Sequence, residues 1–111
     1  TRQFSGVWLY EFEGSTFIEG AARPPTRRPA YRATDWLEYP PDLPRLGEQV
    51  EALGYDADQD CHPVQPFLIT FIGHRTRRLG GSGHMGLWHA EVTPHRTLSI
   101  KRLGGPMCYG G

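Results

Sequence analysis

The chain has 111 residues, with 12 Lys and Arg against 12 Asp and Glu, five His, and a formal net charge of zero. That length makes a single domain, residues 1–111, with one modest core. The charge balance argues against a strong nucleic-acid or anionic-membrane binder, which carries a basic excess, and no apolar run approaches the roughly 20 residues of a membrane span.

Gly6 to Phe12 alternates, with Trp8, Tyr10 and Phe12 on one face and Val7, Leu9 and Glu11 on the other. Its β-branched and aromatic content argues for a strand. Gly14-Ser15 interrupts before Thr16-Phe17-Ile18 resumes, so one strand with a bulge near Gly14 is expected, or a hairpin. Gly20 to Pro29 holds Gly20, Pro24, Pro25 and Pro29 around Arg23, Arg27 and Arg28, and reads as a surface loop. Asp35 to Tyr39 reads as a strand stopped by Pro40-Pro41. Asp42 to Gly54 reads as a helix, with Asp42 as its cap and Pro44 in the first turn. Leu43, Leu46, Val50 and Leu53 make its apolar stripe, and Gly54 its left-handed stop.

Phe67 to Ile72 is apolar on both faces and predicts a covered central strand. Gly73 to Gly86 reads as a polar loop and Leu87 to Val92 as a short strand that Pro94 ends. Thr97 to Leu103 predicts a last strand with Leu98 and Ile100 facing in. Strands, one helix, then strands predict a mainly β fold: a small antiparallel OB-like β-barrel with one helix between the third and fourth strands. Its expected core is Val7, Leu9, Leu46, Val50, Leu53, Phe67, Ile69, Phe71, Leu98 and Ile100.

Two cysteines, Cys61 and Cys108, would close a loop of nearly fifty residues if paired. Such a link is worth roughly 4 kcal/mol in the chain-entropy model and would tie down the C-terminal tail. We expect the Cys61–Cys108 disulfide and an oxidising compartment; the rival reading is two thiols in the cytosol. The chain begins at Thr1 without a leader, so a mature form with its signal segment removed is expected.

Gly81-Ser82-Gly83-His84-Met85-Gly86 matches G-x-G-x-x-G, but the dinucleotide motif must follow a strand and open a long helix. Arg75, Arg77 and Arg78 precede it and Pro94 leaves no room for the helix. The plainer reading is a glycine loop with Met85 plugging the barrel end. His74, His84 and His89 are candidate zinc ligands, since three imidazoles leave a water position open, though their spacing fits no standard pair. Trp8, Tyr10, Tyr31, Trp36 and Tyr39 with the arginines could form a stacking and charge platform for single strands or a glycan; the plainer reading puts most of these rings in the core. The ligand-binding candidates are Arg27, Arg28, Trp36, Arg75, Arg78 and His84. No catalytic residue and no cofactor is assigned.

Phe71-Ile72-Gly73-His74-Arg75-Thr76, then Gly83-His84-Met85-Gly86 and a final apolar strand, resembles a pattern in small exported bacterial proteins of unknown activity. Val7 to Phe17 resembles their opening strand, and Trp36-Leu37 their middle one. The resemblance covers about half the chain; the Pro/Arg segment from Arg23 to Pro29 has no counterpart in it. It implies an OB-like barrel in a periplasmic, lipoprotein or secreted setting, and no reaction.

No motif sets a nucleophile, a base and an orienting group together. The sequence therefore reads as a non-enzymatic envelope or interaction module with a protein or envelope partner. The alternatives are an OB-type binder of single-stranded nucleic acid or glycan, and a small metal-dependent enzyme using the histidines.

Overall fold

The computed structural model describes residues 1–51, 54–58 and 60–109, excluding the side chains of 47 and 49–51. Five strands run β1 (Arg2–Glu11), β2 (Gly14–Glu19), β3 (Asp35–Leu37), β4 (Gln65–Thr76) and β5 (Ala90–Arg102), with helix α1 (Pro44–Glu51) after β3 in the chain. They close into a barrel in the order β1-β2-β3-β5-β4, with β4 returning to β1. All pairings are antiparallel except β3 with β5, where Asp35 to Leu37 run parallel to Ala90 to Val92.

The β1–β2 connection is a hairpin rather than a bulged single strand. Glu11 pairs with Gly14, and Glu13 takes a φ of 52° in the two-residue turn. Helical structure is not confined to the one connection expected. Short 3-10 turns at Tyr31–Ala33 and His84–Gly86 also lie between β2 and β3 and between β4 and β5.

The interior corrects the face assignment of β1. Phe4, Trp8, Phe17, Leu37, Phe67, Ile69, Phe71 and Val92 fill the barrel, with Leu46 and Ile100 packed against them. Val7 and Leu9 instead join Val64 and Tyr109 in an outer cluster, where Leu68, Leu103 and Met107 pack. Both faces of β1 are covered, so alternation alone could not say which was inside. Volume decides: the large rings fill the bore, and the C-terminal segment covers the smaller side chains. Trp8 satisfies its indole N–H inside by donating to Ser15 Oγ at 2.8 Å.

The expected helix is real but shorter, and Asp42 does not cap it. Its carboxylate accepts from the Thr97 backbone N–H and hydroxyl, both at 2.9 Å, so it ties the helix approach to β5. Leu53 lies outside the described residues, as does the side chain of Val50.

Pro94 does not end a strand. β5 runs through it because two irregularities interrupt the β4–β5 register. At one, Gly73 pairs with Pro94 and Ile72 with Arg96, leaving His95 unpaired; at the other, Thr70 pairs with Ser99 and Phe71 with Thr97, leaving Leu98 unpaired. Proline lacks the ladder donor and is tolerated at such bulges. The second bulge turns Leu98 out: it is 42% exposed, against the expectation that it faces in.

Cys61 and Cys108 lie at disulfide distance, Cα to Cα 6.2 Å. Two backbone hydrogen bonds between Val64 and Met107, 2.7 and 2.8 Å, hold the same tail. No helix among the described residues is long and apolar enough to cross a membrane.

Candidate functional site

The 3-10 turn Tyr31–Ala33 is closed by Thr34, whose hydroxyl donates to the Ala30 and Tyr31 carbonyls at 3.2 Å. It carries Arg32 on its outer side. The His89 N–H donates to the Thr34 carbonyl at 3.0 Å, which fixes His89 beside that turn. The β4–β5 loop is pinned at its base by Ser82 and Trp88, which exchange two backbone hydrogen bonds of 3.1 and 3.0 Å. Two glycines let it fold back. A Cβ on Gly81 would stand 1.9 Å from the Gly86 carbonyl, and one on Gly83 2.6 Å from the Trp36 indole. Both have positive φ, 95° and 75°.

Between that turn and that loop lies a cleft of about 520 Å³, lined by Arg32, Arg77, Arg78, Leu79, Gly80, Gly81 and His89. Three guanidinium groups and an imidazole meet there with no carboxylate in the lining. Arg78 is held at the edge by Glu91, with Nη2 to Oε2 at 3.0 Å. Arg32 and Arg77 are exposed and make no ion pair among the described residues. A larger concavity of about 660 Å³ beside Cys108 is walled by Pro63, Pro106, Met107 and two aspartates, Asp56 and Asp58. It is shaped by the tethered tail, with Tyr55 also in its lining, and it gathers acidic rather than basic side chains.

The other candidates separate. Arg75 donates to Asp35 Oδ2 at 2.6 and 3.2 Å and to Glu19 Oε1 at 2.7 Å. Arg2 holds the second Glu19 oxygen at 2.7 Å. Between these two cations the Glu19 carboxyl is lowered to about 2, chiefly by its hydrogen bond from Arg2. Arg28 forks onto Glu11, with Nη2 to Oε2 at 2.9 Å and Nη1 on Oε1. Arg27 makes no ion pair among the described residues and does not line the cleft.

Trp36 is half-buried, its N–H on Glu38 Oε1 at 3.1 Å and its ring 4.7 Å from Trp88. Trp88, on the other side, tilts against Tyr31 at 4.6 Å. Trp8 is fully buried, and Tyr10 and Tyr39 pack against the interior. The plainer reading, that most of these rings belong to the core, holds for Trp8, Tyr10 and Tyr39. Met85 plugs nothing: it is 82% exposed. Glu38 is held above the ordinary carboxyl value, first by its hydrogen bond to Glu91 and then by burial. Glu91 is lowered by that same bond and by Arg78.

The three metal candidates are not brought together. His84 Nε2 faces Glu13 at 3.3 Å, His89 lines the cleft, and His74 meets His95. Among the described residues no group of three or more His, Cys, Asp or Glu side chains is placed to hold a metal ion. Sequence reasoning missed Arg32 and Arg77 in the cleft. The signal was present in the count of arginines but not in their pairing.

Comparison with protein-family models, curated proteins and solved structures finds no match to this chain.

Proposed function

We propose that this protein is a non-enzymatic binding module of OB-like type, working in an oxidising, exported setting, and that its cleft takes an acidic glycan. The observation that carries the reading is the pair Arg32 and Arg77, which line the cleft without a carboxylate partner among the described residues. Guanidinium forks match carboxylate and sulfate oxygens in pairs. A β-barrel with helical connections suits such a role, since OB barrels bind oligosaccharides and oligonucleotides along one face and its loops. Among the described residues no Phe, Tyr or Trp, the rings on which single-stranded nucleic acid stacks its bases, lines this cleft, which favours a charged sugar over a base. The Cys61–Cys108 pair supports the exported setting.

The test is calorimetric titration of a sulfated oligosaccharide, its neutral parent and a single-stranded oligonucleotide, each at two salt concentrations. Binding of the sulfated sugar alone, weakening as salt rises, is the expected result. Equal binding of the neutral parent would exclude the reading, and preference for the oligonucleotide would redirect it.

One observation favours a second reading, an envelope protein partner. Leu79, Met85 and Leu87 on the same loop are 105%, 82% and 37% exposed. Exposed apolar side chains mark a protein contact where they form one contiguous patch, and this loop offers three within nine residues. Loop substitutions that abolish capture of a defined envelope partner, with sugar binding intact, would support it.

A further inference from the structure

His74, on β4, and His95, on β5, stand side by side on the outside of the barrel. His74 Nδ1 lies 2.7 Å from His95 Nε2, with ring centroids 4.8 Å apart and planes inclined at 51°. His95 is the extra residue of the Pro94 bulge, with no partner on β4. Bulges re-aim side chains, and this one sets a second imidazole against the first. We propose that His74 and His95 form a two-histidine clamp for a divalent transition ion of the zinc, nickel and copper group.

The chemistry fits the geometry. Neutral imidazole is the side chain these ions share as a ligand. With metal–nitrogen bonds of about 2.0–2.1 Å, two imidazoles on a tetrahedral ion stand ~3.3 Å apart. The rings need to part by roughly 0.6 Å on that arithmetic, a small side-chain rotation for two surface residues. Apart from the ion, this pair has a single short contact in which one ring must donate and the other accept. An ion between the two nitrogens satisfies both lone pairs at once. The remaining coordination positions fall to water, because no third side chain joins the pair among the described residues. The site is separate from the cleft, which His89 and not His74 lines.

The test uses Zn²⁺ alone, titrated into the chelator-free 111-residue chain by calorimetry and by nitrogen-15 NMR of the histidine rings. One ion per chain is expected, with the His74 and His95 ring signals moving together. His74→Gln and His95→Gln should each weaken binding by about tenfold or more, since even an outer-shell partner is worth that much. His62→Gln, an exposed histidine elsewhere, should leave the affinity unchanged. Failure of the wild type to bind Zn²⁺, ring signals moving at other histidines, or equal loss in all three variants would each overturn the proposal. Circular dichroism of the variants checks that they fold, and the wild-type ring signals decide the matter without them.

Discussion

Two sets of arginines in this molecule have the same chemistry and opposite surroundings. Arg2, Arg28 and Arg75 are locked to carboxylates. Arg75 on β4 joins Asp35 of β3 and Glu19 of β2, and Arg2 shares Glu19 while lying 3.7 Å above the Phe4 ring. Arg28 ties its loop to Glu11 and lies 5.3 Å from the Tyr109 ring. These cations seam strands and loops together. Arg32 and Arg77 line a cleft without such partners. A guanidinium already forked onto a carboxylate has its charge matched and part of its five N–H donors engaged, while an unpaired one offers all of them. Net charge is zero for the chain and says nothing about either set.

The contrast can be broken first at the locked set. Asp35 is 7% exposed and receives two hydrogen bonds from Arg75. Asp35→Ala should cost about 2 kcal/mol in urea unfolding, the range for hydrogen bonds to charged groups. Sugar binding at the cleft should stay within about twofold. A stability loss below about 0.5 kcal/mol would show that the seam is ornamental. The cleft set should behave in reverse. Arg32→Ala with Arg77→Ala should weaken sulfated-sugar binding about tenfold, roughly 1.4 kcal/mol, while stability moves by less than about 0.5 kcal/mol. If the double variant binds as the parent does, the cleft is not the site.

Why the sequence revealed one part of this and hid another follows from the residues. β4 was legible because Phe67, Ile69 and Phe71 are apolar at period two and belong to the interior on any closed barrel. The helix was legible from Pro44 and its stripe. The face of β1 was not, because Trp8 and Val7 both end up covered, one by the bore and one by the tail. Nor was the course of β5: Pro94 is a strand breaker everywhere except at a bulge, and a bulge depends on the partner strand. The cleft was hidden for a similar reason. Arg28, Arg75 and Arg78 could be named from composition, but which arginines meet Glu11, Glu19, Asp35 or Glu91 is a matter of strand order. Glu19 and Arg75 are 56 positions apart in the chain and 2.7 Å apart in the barrel.

Acid offers a finer test of the locked set. Glu19 titrates near 2 in the fold, against an ordinary value of 4.5. A depressed folded value means the pair stabilises the fold above the unfolded value and loses that stabilisation as pH falls through the folded one. Half-exposed pairs contribute at most about 1 kcal/mol, so a shallow fall in melting temperature is expected between pH 4.5 and about 2. Glu19→Gln should flatten that segment of the curve and leave the neutral-pH cleft affinity alone. An unchanged slope in the variant would mean that other carboxylates carry the acid response.

The smallest expected effect falls on Arg27, the neighbour of Arg28 and equally basic by composition. It has no carboxylate partner among the described residues, so it seams nothing, and it does not line the cleft, so it offers its donors to nothing held there. Arg27→Ala should leave stability within about 0.5 kcal/mol and sugar affinity within about twofold. The comparison with Arg28→Ala is the informative one. Arg28 is forked onto Glu11, whose side chain is only 9% exposed, and removing it strands a nearly buried carboxylate at a cost of about 1–3 kcal/mol. Two adjacent arginines then differ by their partners alone. If Arg27→Ala weakens sugar binding as much as the Arg32 and Arg77 changes do, the ligand runs beyond the cleft onto the Pro/Arg loop, and the two arginine sets are not the separate populations their pairing makes them.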